Sequence, residues 1–359
     1  MTNRLNDHGP AWRQRLKAAL HQRMVSEGWR DALSLRVSTE DGDAWCQTMA
    51  RTPPAPDPRS LDRVPFRIAS VTKVHVAAAI LRLVEDGRLR TDVAIGGCLS
   101  PATAQALRAG GYDIDRITLE HLMRHTSGLT DHCSCDAFID HLLARPDHRW
   151  TRLEQVQIAM ALPGPLSLPG QAFAYSDTGY ILLGEIVEQA SAEGLPQALR
   201  RLLSFDAIGL RHTGFDGVDA LPVALGPHAP QFMDDVDARS FDPSFDLFGG
   251  GGLVSTLADL DTFFRALFDG RVFAHASTLE GLFAAATTPC GFGGYAHNGL
   301  AFRFRASGLD CWCHTGFWGV IAAYFPEPGL MLTASFNRSR RDGCFGVDEL
   351  LNDFAASVA

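Results

Sequence analysis

Segments that alternate with period two lie at both ends of this 359-residue chain, and segments of helical period fill its middle. Strands with an apolar face need partners, so the fold must bring the two ends together. At the front, Ala32 to Ser38 alternates Leu33, Leu35 and Val37; Asp41-Gly42-Asp43 reads as a turn and Ala44 to Ala50 as the returning strand. At the back, Leu300–Arg305, Asp310–Thr315, Val320–Phe325 and Leu330–Asn337 read as strands, with turns at Ser307-Gly308 and Glu327-Pro328-Gly329. Helical patterns bracket both groups, at 11–29 with Trp12, Leu16, Ala19, Leu20 and Met24 inward, and at 345–357. In the middle, Thr118 caps a helix through Met123, and 151–161 and 178–204 read as helices. The proline run at 52–58 reads as a surface loop, and Gly249 to Gly252 as a loop feeding a helix capped at Ser255 or Thr256.

The expected fold is therefore α+β: one antiparallel sheet flanked by terminal helices, with an inserted helical domain. Residues 1–90 and 216–359 would form the sheet domain, 91–215 the inserted one, and an active site would lie in the cleft between them.

The stretch 66–87 reads as an extended segment entering a buried helix, with Val74, Ala77, Ala78, Leu81 and Val84 on one stripe and Gly87 as its stop. Ser70 and Lys73 stand at its N-terminal end, and a spacing of three puts both side chains on one face. A serine hydroxyl becomes a nucleophile when a neighbour takes its proton. Lysine can be that neighbour once burial and a helix N-terminus lower its pKa. Of 32 basic residues only Lys17 and Lys73 are lysine. An arginine-rich chain that keeps lysine here keeps an amine that can lose its proton, as guanidinium cannot.

A net charge of −9 and the lack of a basic cluster argue against nucleic acid as a partner. Residues 1–30 carry Arg4, Arg13, Arg15, Lys17 and Arg30 with no long apolar run, and no segment is apolar enough to span a membrane. The expectation is a cytoplasmic protein with no membrane partner, whose eight cysteines are free thiols.

Two further motifs follow Ser70-Val71-Thr72-Lys73: Tyr175-Ser176-Asp177, and His314-Thr315-Gly316 at a strand end before Phe317-Trp318-Gly319. His125-Thr126-Ser127-Gly128-Leu129 and Gly250-Gly251-Gly252 support them. In this order the motifs resemble the serine β-lactamase and penicillin-binding-protein superfamily, and within it the class C β-lactamase, D-alanyl-D-alanine carboxypeptidase and family VIII esterase group. The resemblance covers roughly residues 30–340 and implies a β-lactamase/transpeptidase-like fold. It implies that Ser70 is acylated, that Lys73 takes its proton and that Tyr175 relays protons to the leaving group. It implies an oxyanion hole from the backbone N–H groups of Ser70 and Phe317. Asp177, His314, Thr315, Gly316 and Trp318 would meet the substrate. Such a scheme needs no cofactor and no metal.

Two positions depart from the group's pattern. Asp177 stands where Asn is commoner; it only accepts hydrogen bonds and would raise the pKa of Lys73. His314 stands where β-lactamases carry Lys, and holds a carboxylate less firmly. The Asp131-His132-Cys133-Ser134-Cys135-Asp136 cluster lacks the second spaced pair of a zinc site. His125 reads as a residue that holds its loop, and Cys311 and Cys313 as core packing on one strand face. The function expected is a serine hydrolase acting on a small-molecule ester or amide. Alternatives are an acyltransferase using the same acyl-enzyme, and a silent ligand-binding or sensor protein of the same fold.

Overall fold

The computed structural model describes residues 11–26, 32–50, 62–221, 228–284, 287–291, 293–339 and 346–359. Helix α1 (Ala11–Ser26) precedes the hairpin β1 (Leu33–Ser38) and β2 (Ala44–Met49), and β3 (Phe66–Arg67) leads into α2 (Thr72–Glu85). Next come α3 (Pro101–Ala109), α4 (Leu119–Met123), α5 (Asp136–Ala144), α6 (Arg152–Met160), α7 (Asp177–Ser191), α8 (Leu195–Leu202) and α9 (Phe205–Ile208). Short strands β4 (Gly214–Phe215), β5 (Phe232–Met233), β6 (Val236–Asp237) and β7 (Leu253–Ser255) precede α10 (Leu257–Phe268) and α11 (Ala276–Ala284). The chain closes with β8 (Thr288–Pro289), β9 (Ala296–His297), β10 (Phe302–Ala306), β11 (Leu309–Gly316), β12 (Val320–Phe325), β13 (Leu330–Ser335) and α12 (Val347–Val358).

Both ends of the chain meet in one eight-stranded sheet, in the order β2-β1-β13-β12-β11-β10-β9-β8. All of its pairs are antiparallel, and the join of the two ends sets Val37 opposite Leu332 and Ser38 opposite Met331. Its register follows from the period-two pattern. Ile321, Ala323 and Phe325 face Trp12 and Leu16 of α1 and Leu350 and Phe354 of α12. Val320 and Ala322 face the other core, with Phe263 and Phe264 of α10 and the apolar stripe of α2. With both faces covered, each large side chain removed from water contributes about 1.5–3 kcal/mol. Cys311 and Cys313 are buried on the face covered by the terminal helices. The seven described cysteines form no disulfide. Among the described residues no helix is long and apolar enough to cross a membrane.

Two expectations change. The helix read across 178–204 is two, α7 and α8. Ala192 ends α7 with φ +58, and Pro196 in the first turn of α8 restarts the helix, where the missing N–H costs nothing. The segment after the glycine run is a strand, β7, between β3 and β4, because Phe66 and Arg67 offer it an antiparallel partner. Of the two caps expected for the helix beyond it, Thr256 is the one: its Oγ1 accepts the Asp259 N–H at 3.2 Å. The first helix is described from Ala11 to Ser26, with Trp12, Leu16, Leu20 and Met24 inward and Ala19 half-buried. Its predicted residues 27–29, and the proline run at 52–58, lie outside the described residues.

Candidate active site

Ser70 lies in a single 3-10 turn, Ala69–Val71, that runs into α2. Ala69 has φ +46, so the chain bends sharply just before the serine. One turn on, Lys73 is fully buried. Its Nζ donates to Ser70 Oγ at 2.9 Å, to the Gly250 carbonyl at 2.5 Å, and to Asp177 Oδ1. An ammonium has three hydrogens, and each has its acceptor. Nζ also stands 5.2 Å from the centre of the Tyr175 ring and 5.7 Å from that of Tyr180. Burial alone would lower the pKa of Lys73; Asp177 above all, with Tyr175 and Asp246, outweighs burial and raises it. The charged form is thus the resting one, and the lowered lysine pKa expected from burial is not what the site builds.

Asp177 is the first residue of α7, where the helix dipole favours an anion, and Ser176 caps that helix by accepting the Gly179 N–H at 3.1 Å. Tyr175 immediately precedes the cap. Its hydroxyl stands near the side chains of Ser70 and Lys73, and burial raises its pKa more than Lys73 lowers it, so the phenol is neutral.

His125 holds that tyrosine from three directions. Its carbonyl accepts the Ala174 N–H at 2.8 Å, its Nδ1 accepts the Ser176 N–H at 3.1 Å, and its ring stacks on Tyr175 at 4.3 Å. Burial, with neighbouring His297 and Lys73, lowers its pKa well below the ordinary histidine value, which keeps Nδ1 free to accept. The reading of His125 as a loop-holding residue is too narrow: it fixes the backbone on both sides of Tyr175.

Glycines let the acids approach. A Cβ on Gly250 would lie 2.9 Å from Asp177 Oδ1, and one on Gly251 would lie 2.0 Å from Asp246 Oδ2. On the opposite wall β11 ends with His314, Thr315 and Gly316. A Cβ on Gly316 would meet the Ile68 carbonyl at 2.4 Å, so β11 approaches the Ser70 segment closely only because residue 316 has no side chain.

Ser70, Tyr175, Asp177, His314, Thr315, Gly316, Phe317 and Trp318 line one cavity of about 420 Å³, with Lys73 behind Ser70. Every residue proposed from the sequence is therefore at or against this cavity. Phe138, Ile139 and Leu142 of α5 and Met233 and Phe245 form its apolar wall, and Cys313 reaches it from β11. Trp318 is buried and packs edge-to-face on Phe317 at 4.9 Å.

Three acids in the lining, Asp131, Asp246 and Asp348, were not singled out as site residues. Asp131 Oδ1 accepts the backbone N–H groups of Cys133 and Asp177, both at 3.1 Å. Burial, then the charge of Asp177, pushes Asp131 and Asp246 each up to about 7. Asp131 was visible only within a Cys/His/Asp cluster, and Asp246 falls in a loop without periodicity. Ligand atoms of Asp131, His132 and Cys133 lie within 4.8 Å of one another, but His132 Nδ1 faces Thr178 Oγ1 at 3.1 Å.

Known proteins resemble this chain in sequence and in fold. Esterase EstB of Burkholderia gladioli is 29% identical over 226 residues, 54% of this chain and 55% of that protein. Penicillin-binding protein 4* of Bacillus subtilis (strain 168) is 25% identical over 227 residues, 59% of this chain and 47% of that protein. The chain thus spans about half the length of these curated relatives. Among solved structures, a D-stereospecific amidohydrolase from Streptomyces sp. superposes with a TM-score of 0.76 at 24% identity, over 92% of this chain and 94% of that one. D-amino acid amidase from Ochrobactrum anthropi SV3, in complex with L-phenylalanine amide, gives 0.77 at 22% identity, over 97% and 98%. At these identities the structural likeness speaks for the fold, and it is the α+β fold expected. The family profile described as Beta-lactamase runs from residue 39 to residue 356, across the serine turn, the Tyr175 segment and the end of β11, and it is to this family that the chain belongs.

Proposed function

We propose that the chain is a serine hydrolase that cleaves an ester or amide of a small molecule through an acyl-enzyme on Ser70. The carrying observation is the contact of Ser70 Oγ with the Lys73 ammonium at 2.9 Å, with the Tyr175 ring 5.2 Å from that ammonium and both Ser70 and Tyr175 lining one cavity. Ser70 Oγ attacks the carbonyl carbon. Its proton passes to Lys73 Nζ as Lys73 passes one of its own to the Asp177 carboxylate, because an ammonium has no lone pair to offer. The backbone N–H groups of Ser70 and Phe317 hold the oxyanion. Tyr175 protonates the leaving group and is reprotonated through Lys73. Water then attacks the acyl carbon by the same steps in reverse.

The cavity is lined from both parts of the chain, which supports a sheet domain of 1–90 and 216–359, an inserted domain of 91–215, and a site in the cleft between them. The test is hydrolysis of a 4-nitrophenyl ester by wild type and Ser70→Ala. The proposal expects the variant to lose at least ~10³-fold in kcat/KM. Equal rates for the two proteins contradict it. Product that forms only with an added alcohol or amine would make the enzyme a transferase instead.

A further inference from the structure

The charge in the cavity is one-sided. Among the described residues its lining holds the carboxylates of Asp131, Asp177, Asp246 and Asp348, and no lysine or arginine. Asp348 is engaged by the Tyr295 hydroxyl at 2.5 Å, and Asp177 by Lys73. Asp131 and Asp246 remain. Each feels Asp177 as a like charge and Lys73, already paired with Asp177, as a cation; Asp246 also feels Arg67, itself paired with Asp216. Both are pushed up to about 7, as expected for carboxylates crowded in a buried place with too few cations. The crowding is built in: Gly251 leaves the space that the Asp246 carboxylate fills. The cavity does not depend on these acids for its existence, since it opens on Ser70 and has its apolar wall at Phe138, Ile139 and Leu142. Trp318, 1% exposed and in the same lining, has a buried indole N–H with no acceptor among the described residues.

We infer that Asp131 and Asp246 are specificity residues that receive a substrate ammonium near the scissile carbonyl. The preferred substrate is then an apolar acyl donor with a free amine, and a donor with a carboxylate at that place is excluded. The charge balance supports this directly. An ammonium completes the pairing of two acids, whereas a carboxylate adds another anion to a cavity whose described lining offers no lysine or arginine to meet it. His314 at the end of β11, where a lysine would have held a carboxylate, works in the same direction.

The inference rests on the acyl-Ser70 reading, and the test separates the two. Three methyl esters of one skeleton are compared, in buffer below the pKa of the amine: phenylalanine methyl ester as each enantiomer, methyl 3-phenylpropanoate, and monomethyl benzylmalonate. Expected is a kcat/KM at least ~10-fold higher for one phenylalanine ester than for the uncharged ester, with the malonate lowest. Asp131→Asn and Asp246→Asn, which keep size and hydrogen-bond acceptance, should each shrink the ratio of the first two by ~10-fold. The ratio is read within one preparation, so a partly folded variant still reports. Equal kcat/KM for the amino and uncharged esters overturns the inference and leaves the hydrolase standing. So does turnover of none of the esters while a fluorophosphonate still labels Ser70. A ratio unaffected by either variant overturns the assignment to these acids. Failure of Ser70 to be labelled overturns the hydrolase reading itself.

Discussion

Lys73 and Asp177 form a buried ion pair beside Ser70: the ammonium has no exposed surface, and the carboxylate it faces opens into the cavity. Burial and the partner charge act on Lys73 in opposite directions, and the partner wins. A lysine that must accept a proton is thus held as ammonium by Asp177, with Tyr175 and Asp246 adding to the effect. The Asp177→Asn substitution removes both the largest raising cause and the carboxylate that receives the lysine's proton. Acylation near neutral pH is expected to fall by ~10²–10⁴-fold and to recover as rising pH frees the amine. Stopped-flow acylation with an activated ester across pH measures it. Acylation at neutral pH that stays at the wild-type rate shows that Asp177 does not receive that proton.

Tyr175→Phe removes the hydroxyl that stands near Ser70 and Lys73. Loss of one general acid–base group costs ~10²–10⁴-fold in kcat. The His125→Phe variant keeps a ring against Tyr175 and removes the Nδ1 that accepts the Ser176 N–H. It should lower kcat by a smaller factor, ~10-fold, with KM little changed, since His125 acts through the position of Tyr175. A pure KM effect would show instead that His125 shapes the substrate wall.

Much of this was readable in the sequence. The period-two segments at both ends gave the sheet and its join, because a slip of one residue would have turned Ile321, Ala323 and Phe325 away from α1 and α12. Ser70, Lys73, Tyr175 and the end of β11 were readable because short motifs with a fixed spacing carry them. Three features were not. Strand β7 is three residues long and exists only because β3 and β4 lie beside it, a contact between distant parts of the chain. Asp246 lies just beyond a 3-10 turn, Pro243–Phe245, in a segment with neither helical nor strand period. The ion pair joins residues 104 positions apart, so its strength depended on burial that no local pattern reports.

Gly316→Ala tests the close approach of β11 to the serine turn. The added Cβ would meet backbone, the Ile68 carbonyl, at 2.4 Å, and so cannot be absorbed by a side-chain rotation. The expected result is a stability loss of about 1–3 kcal/mol from overpacking. Because the strain falls between Ser70 and Phe317, kcat should also fall by at least ~10-fold. Denaturant titration and steady-state kinetics check the two parts separately, and wild-type kcat in a destabilised variant would move the oxyanion site away from Phe317.

The stability of the protein should fall on the acid side partly through His75. This histidine of α2 is fully buried, stacked on Phe263 at 3.7 Å, and pushed down to about 3 by burial. Its folded pKa is below the unfolded value near 6.5, so its neutral form is favoured by folding. That contribution is complete above the unfolded value and is lost as pH falls toward the folded one, by up to about 1.4 kcal/mol per pH unit. Asp131 and Asp246, raised to about 7, work the other way, since folding favours their protonated forms. The His75→Phe variant isolates the histidine. Urea titrations at neutral pH and at pH 5 should show a smaller acid loss than wild type, and an unchanged loss would contradict a neutral buried His75.

The central claim is that Ser70 is an activated nucleophile, and intact-protein mass after exposure to a fluorophosphonate tests it most directly. The account predicts one adduct on wild type, located by peptide mapping at Ser70, and none on a folded Ser70→Ala variant. Wild-type protein that is folded and stays unmodified, or an adduct that persists in Ser70→Ala, would contradict it.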